Sequence, residues 1–545
     1  MSRLPLVARI GDARQTYKVE GLTFRKEAVG GGVSIGARLI LPLDRTDLVR
    51  HFDPVTIYDG RSAEPVASGQ VIDLGRSAST EGQRWQVTAQ GPALHAQDQQ
   101  LPLIYVTQDL SDSWRQVNRM KRGVTWAQST NPADSSDSAS EALVWNMPEG
   151  TTFAVNDTGT LRYEGLREIG MFLGRISCHA RAGANDGGNY KMYLWTSVDP
   201  TSDTSGSSSF SHTTTTTAQQ TVALVVTTDF ASGRNTVDFR MEALTAGKPA
   251  NDNKWFAIYD WVLRSRLMDE TGADITAGAS YGNDYVLAHE VVKDLLGRCL
   301  PEYDGTNAYI DTSGTFQIDS LAYPDGITPG QVLDDLMRFE RTHRWHVTPA
   351  GQFRWEPWPA TVRYEATLED GGDFPAAGQT LYNEVRARYR DKRGRTRSVT
   401  RTAAGVGVPD DYLGPAGKIR STVLDLGDEV GSNTGAGRRA ENFLANHAAP
   451  ENMGTLTIAR PIRDLQTGRM VQPWEIQEGE LIRVNGVESY PDALNADSND
   501  GKTVFRIWAF DYDSAANASV LELDSYPRGQ YGALKRLMTK RRPKR

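Results

Sequence analysis

Histidine, cysteine and paired carboxylates are the residues most able to do chemistry, and this chain is sparing with the first two. Its eight histidines are His51, His95, His179, His212, His289, His343, His346 and His447. His343 and His346 stand three apart, a spacing at which a helix offers two rings to one metal ion. They fall at an expected helix-to-strand transition with no third ligand nearby, so a packed or exposed pair is expected instead. The two cysteines, Cys178 and Cys299, are too far apart in sequence for a zinc ribbon or a disulfide framework. Cys178 adjoins His179 in a strand-like run, where neighbours point to opposite faces, so they do not pair as nucleophile and base. Cys299 ends a helix and is expected to be packed. No HExxH, CxxC, GxSxG or GxxxxGK[ST] pattern occurs. Asp497-Ser498-Asn499-Asp500-Gly501 has oxygen ligands but lacks the distal glutamate of a calcium loop, and reads as a turn. Glycoside hydrolysis needs two carboxylates across a cleft, and sequence does not pair them. No catalytic residue, metal or cofactor is expected.

Aromatic residues suit a binding role better. Tyr190, Tyr193 and Trp195 lie in one strand-like run, directly after the acidic Gly-rich loop that holds Asp186. Ring faces stack on the C–H faces of sugars, so these four residues form a candidate glycan site. Burial in a core is the competing reading for each ring. The loop itself reads first as a turn and second as a cation holder.

The elements that must position these residues are mostly strands. Thr16 to Leu22, Gly36 to Pro42, Val55 to Tyr58, Val66 to Leu74 and Arg84 to Ala89 have strand character, with Asp59-Gly60 as a hairpin turn. Residues 107–142 are polar and turn-rich and read as a linker. A second β pattern runs over 143–270, broken by Gly/Ser/Asn/Thr loops, as in a jelly-roll sandwich inserted into a host fold. Helical spacing predicts a helix over Asn283 to Leu300 with Asp284 as N-cap. A second helix opens at Thr328-Pro329 and buries Val332, Leu333, Leu336 and Phe339. Trp345 to Val347 and Gln352 to Trp355 form a hairpin about Gly351. Leu381 to Tyr389 alternates as a long strand, and Gly435 to His447 reads as one short helix.

The fold class is therefore mainly β with a few short helices. Its parts are an N-terminal barrel-like unit (1–106), the linker (107–142), the inserted carbohydrate-binding-like sandwich (143–270), a small α+β region (271–360), a second β-rich unit (361–530) and a basic tail (531–545).

The net charge of −8 argues against non-specific nucleic-acid binding as the main task, because phosphate contacts need clustered Lys and Arg. No window approaches the roughly 18–20 apolar residues of a membrane span. The opening residues hold too short an apolar run for a signal-peptide core, so synthesis in the cytoplasm is expected.

Four stretches carry a resemblance. They are VTIYDGRSAEPVASGQVIDLGRS with WQVTAQGPALHAQDQQLP; the run from Val291 to Pro359; LYNEVRARYRDKRGRTRSV; and FRIWAFDYDSAANASVLELDSYPRG. In their order and pattern they resemble the tail-hub (baseplate-hub, tail-tip) proteins of tailed bacteriophages, also called minor tail proteins. The resemblance implies a structural virion protein at the tail tip, made in the host cytoplasm, with two barrel-like units per subunit and a trimeric ring. The implied partners are further copies of the chain, the tail-tube, distal-tail and tape-measure proteins, and other tip proteins or fibres. DNA would pass the lumen without specific binding. The inserted sandwich, where the chain departs from a minimal hub, would meet a host surface glycan or brace neighbouring tail proteins. A distal tail protein forming a hexameric ring, or a tail-associated cell-wall hydrolase or glycosidase, are the alternatives.

Overall fold

Alternation with a period of two sends every second side chain to one face, and the computed structural model is accordingly mainly β, with three α-helices among the described residues. It describes residues 6–11, 16–17, 19–30, 32–41, 49–60, 64–79, 82–109, 114–118, 125–130, 141–147, 158–163, 174–182, 189–197, 208–213, 220–226, 236–243, 254–265, 267, 271, 286–300, 302–303, 308–318, 320–340, 342–368, 371–374, 376–377, 382–390, 395–404, 419–427, 430, 433–447, 451–452, 454–487 and 503–525; for 114–265 it describes the strand backbones alone.

The five expected N-terminal strands are present. Leu6–Ile10 joins them, giving the spatial order Leu6–Ile10, Pro54–Asp59, Pro65–Ser79, Gly82–Gln90, Val33–Leu41, Val19–Glu27. Val19–Glu27 is not an edge. It pairs antiparallel with Thr503–Asp513, in register from Thr23 opposite Asp513 to Glu27 opposite Ala509. The first unit and part of the second are thus fused into one 15-stranded sheet, while Glu384–Arg390, Thr396–Thr402 and Ser421–Gly427 form a sheet of their own. The fused parts also share one apolar core, in which Phe24, Ile35 and Trp85 meet Tyr364, Phe505 and Phe510. Phe24 packs edge-on to Phe510 with ring centres 5.9 Å apart. Each such buried ring contributes about 1.5–3 kcal/mol relative to exposure.

The segment 107–142, expected as a linker, differs. It contributes Trp114–Asn118, paired with Thr158–Tyr163, and Thr125–Thr130, paired with Glu141–Met147. A polar strand on the margin of a sheet lacks the apolar alternation that marks a strand in sequence. The inserted region forms two antiparallel sheets. One is built on Glu141–Met147, Lys254–Ser265, Gly174–Ala182 and Gln220–Val226. The other is built on Ser208–Thr213, Asn189–Ser197, Thr236–Ala243 and Thr158–Tyr163. Leu101–Asp109 links insert and host: its first part pairs with Ser320–Ile327 and its last residues with Lys254–Ser265.

Helix α1 spans Ala288–Cys299, α2 Pro329–Phe339 and α3 Asn433–His447. α1 begins later than its periodicity suggested because Val286 and Leu287 pair with Ile318 and Gln317 as strand. Glu290 Oε2 then accepts the Leu287 N–H at 3.0 Å, satisfying a donor the helix start leaves open. Asp284, the expected cap, lies outside the described residues. α2 matches its expectation. Thr328 Oγ1 accepts from the Gln331 N–H at 3.4 Å, Pro329 opens the helix, and Val332, Leu333, Leu336 and Phe339 are buried. α3 packs against a three-stranded sheet of Thr396–Thr402, Glu384–Arg390 and Ser421–Gly427. None of the three helices is long and apolar enough to cross a membrane.

Candidate functional site

The strands that fuse the two β units also bring charged residues together. Lys26, on Val19–Glu27, is 5% exposed. Its ammonium lies 5.1 Å from the Phe510 ring centre and 3.9 Å from Glu478 Oε2. Burial lowers its pKa, and the charge of Glu478 opposes that shift. Opposite stands the hairpin His343–Val347 and Phe353–Pro357, turned by Gly351 at φ 85°. Arg344, also buried, donates from Nη2 to Glu356 Oε1 at 2.7 Å and from Nη1 to the Glu478 carbonyl at 3.1 Å. His346 Nε2 meets the same Glu356 oxygen at 2.9 Å. Burial would raise the Glu356 carboxyl, but the His346 hydrogen bond and the Arg344 charge together hold it at about 2. Burial and the Arg344 charge lower His346, against the pull of Glu356.

These groups line a cleft of about 670 Å³ between the N-terminal strands, the hairpin and the segment Trp474 to Glu480. Gly479 makes the close approach possible. Its φ is +83°, and a Cβ there would overlap the Arg344 guanidinium. The Gly479 carbonyl accepts from Arg506 Nη1 at 2.7 Å, and Arg506 Nη2 reaches the Pro359 carbonyl at 3.1 Å. Trp358 has both Arg344 (5.5 Å) and Arg506 (4.6 Å) over its ring. Trp474 Nε1 donates to Asp59 Oδ2 at 3.2 Å, closing the cleft from the N-terminal side. The cations and carboxylates answer one another, so the arrangement clamps three parts of the chain together.

His343 belongs to a second network. Its Nε2 lies 3.0 Å from Asp311 Oδ1, its Nδ1 2.9 Å from Thr342 Oγ1, and its ring stacks on Trp355. Hydroxyl, imidazole and carboxylate in that order resemble a nucleophile, base and acid. Thr342 Oγ1, however, also donates to Glu340 Oε1 at 2.9 Å. Its one proton then points at the Glu340 carboxylate rather than at the ring. The network ties the end of α2 to the hairpin. The Ser313 and His343 hydrogen bonds hold Asp311 at about 2.

His343 and His346 therefore sit on one strand, both buried, and engage different carboxylates. Among the described residues no group of three or more His, Cys, Asp or Glu is placed to hold a metal ion. Cys299 is a buried free thiol, pushed up to about 11 by burial. Of the candidate glycan residues, Asp186 lies outside the described residues. Tyr190, Tyr193 and Trp195 lie on Asn189–Ser197, with backbones opposite Ala243, Arg240 and Asp238, and their side chains are likewise outside the described part. The Asp497 to Gly501 turn is also outside it. Sequence reasoning missed Lys26, Arg344, Glu356 and Glu478, because nothing local marks the meeting of Lys26 and Arg344 with Glu478, which lies more than a hundred positions from either.

No family model matches the chain, and no curated protein matches it. Among solved structures it is similar to the 43 kDa tail protein of prophage MuSo2 from Shewanella oneidensis, at 10% identity and TM-score 0.44, over 96% of this chain and 99% of that one. It is also similar to the tail protein of Neisseria meningitidis MC58, at 9% identity and TM-score 0.45, over 97% and 98% of the two chains. Prophage tail protein gp18 of Listeria monocytogenes EGD-e gives 8% identity and TM-score 0.42, over 98% of each chain. These low scores describe a similar course of the chain and carry nothing about activity.

Proposed function

We propose that this chain is a structural tail protein of a tailed phage, forming the hub ring where the tail tube meets the tip. The observation that supports this reading is the pairing of Val19–Glu27 with Thr503–Asp513, which makes one curved sheet from two β units at opposite ends of the sequence. Three such chains supply six β units, the number a six-fold tube requires. The sheet ends in Thr16–Tyr17 on one side and Met470–Val471 on the other, each paired on one side only among the described residues. Met470 is exposed at that margin. Unpaired edges of this kind are extended by a neighbouring strand, and a ring joins two different edges head to tail.

In this reading the neighbours are the tube, distal-tail and tape-measure proteins, and the protein resides at the virion tail tip. The inserted sheets project outward and carry a glycan site at Tyr193 and Trp195. Electron cryomicroscopy of the purified full chain and of virion tails tests the assembly. A three-fold ring with two β units per chain is expected. A six-fold ring would point to a distal tail protein, and a monomer absent from tails would overturn the reading. Glycan-array binding lost in a Trp195→Ala variant is the expected result for the site.

A further inference from the structure

The net charge of the chain hides a local reversal. Residues 384–402 hold eight Lys and Arg against two carboxylates. The sheet of Thr396–Thr402, Glu384–Arg390 and Ser421–Gly427 sorts them by face. Val385, Ala387 and Tyr389 are buried toward the core, while Arg386, Arg388 and Arg390 are exposed on the opposite face. Across from them in register stand Thr400, Ser398 and Thr396, all exposed. Arg386 is held flat by hydrogen bonds from Nε and Nη2 to Ser398 Oγ at 3.1 and 3.0 Å. Arg388 pairs with Asp425 at 2.9 Å, yet its side chain remains 51% exposed.

We propose that this face docks on the phosphate backbone of duplex DNA, without reading sequence. Three observations choose that occupant. Arginines beside Ser and Thr hydroxyls are the side chains that contact phosphate. Alternate strand residues lie about 6.7 Å apart, so the row spans about 13 Å. One DNA strand carries a charge per about 3.4 Å of axis, so the row runs past about four phosphates and its three arginines can contact three of them. The central strand's aromatic residue, Tyr389, is turned into the core. Among the described residues the face therefore lacks the stacking platform that single strands use. The proposal stands apart from the ring assignment, because it concerns the isolated chain.

Fluorescence anisotropy of the full chain with a labelled duplex, measured against salt, tests it. Three phosphate contacts predict a log–log slope near −2.7, or about 40-fold weaker binding from 50 to 200 mM salt. The triple variant Arg386→Ser, Arg388→Ser, Arg390→Ser should remove most of that slope. Val423, 57% exposed and paired with Arg386 on the neighbouring strand, provides a gain-of-function control. Val423→Lys should tighten binding and steepen the slope by about one. Absence of binding at 50 mM salt, or a slope the triple variant leaves unchanged, overturns the proposal. So does a Val423→Lys variant that binds DNA no better, which would mark the face as a protein contact.

Discussion

Glu356 gathers the charges of one hairpin: Arg344 and His346 bond to one oxygen, and Arg354 lies 3.6 Å from the other. Its carboxyl is held at about 2, below its usual 4.5. A depressed carboxylate adds stability above its unfolded pKa and loses it as pH falls toward the folded value. Stability should therefore drop between about pH 4.5 and 2, with Asp311, also near 2, adding to the fall. In Glu356→Gln that acid limb should flatten, visible in denaturation midpoints against pH. At neutral pH the same variant should lose about 3–5 kcal/mol, because Arg344 stays buried without its counter-charge. Gly479→Ala should cost about 1–3 kcal/mol through its left-handed backbone alone, and more where the new methyl displaces Arg344. Urea unfolding reads both. None of these positions has a local signature, since a lone Glu or Gly acquires its role from what the fold sets beside it.

At the scale of elements, local rules worked where the signal was local. α2 was legible because Thr328, Pro329 and the buried stripe through Phe339 are all written in eleven adjacent residues and their cap. Thr328→Ala should cost about 1 kcal/mol in thermal or urea unfolding. It also removes the hydroxyl's bond to Gln97 Oε1 at 3.0 Å, which ties α2 to the N-terminal unit. α1 was misjudged at its start because Val286 and Leu287 suit either structure, and pairing with Gln317–Ile318 decided for strand. The polar strands Trp114–Asn118 and Thr125–Thr130 were read as linker because they lack apolar alternation. The alternation of Leu381 to Tyr389 is legible in sequence, but which face of Glu384–Arg390 is buried depends on α3 covering it.

The whole molecule is held by contacts between its ends. Arg25 bonds Asp511 at 2.6 Å and Glu522 at 2.8 Å, across separations of 486 and 497 residues. The insert, by contrast, leaves and returns at one place: Thr107 is the register partner of Arg264, and Asp109 of Val262. Paired residues of antiparallel strands lie about 5 Å apart, so a short Gly-Ser linker in place of 108–263 bridges Thr107 to Arg264. The shortened chain should still assemble, as seen by electron microscopy, while phage carrying it should adsorb poorly. Failure to assemble would make the insert part of the proposed ring. Composition and alternation by themselves determined that the chain is mainly β, where most host strands run and where α2 begins, because periodicity and capping are short-range properties. Only the tertiary structure decided that strands from both ends of the chain share one sheet and one core, and that Lys26, Arg344, Glu356 and Glu478 meet in one cleft. Alternation states which side of a strand is apolar; which strand lies beside it is settled by burial over the whole chain.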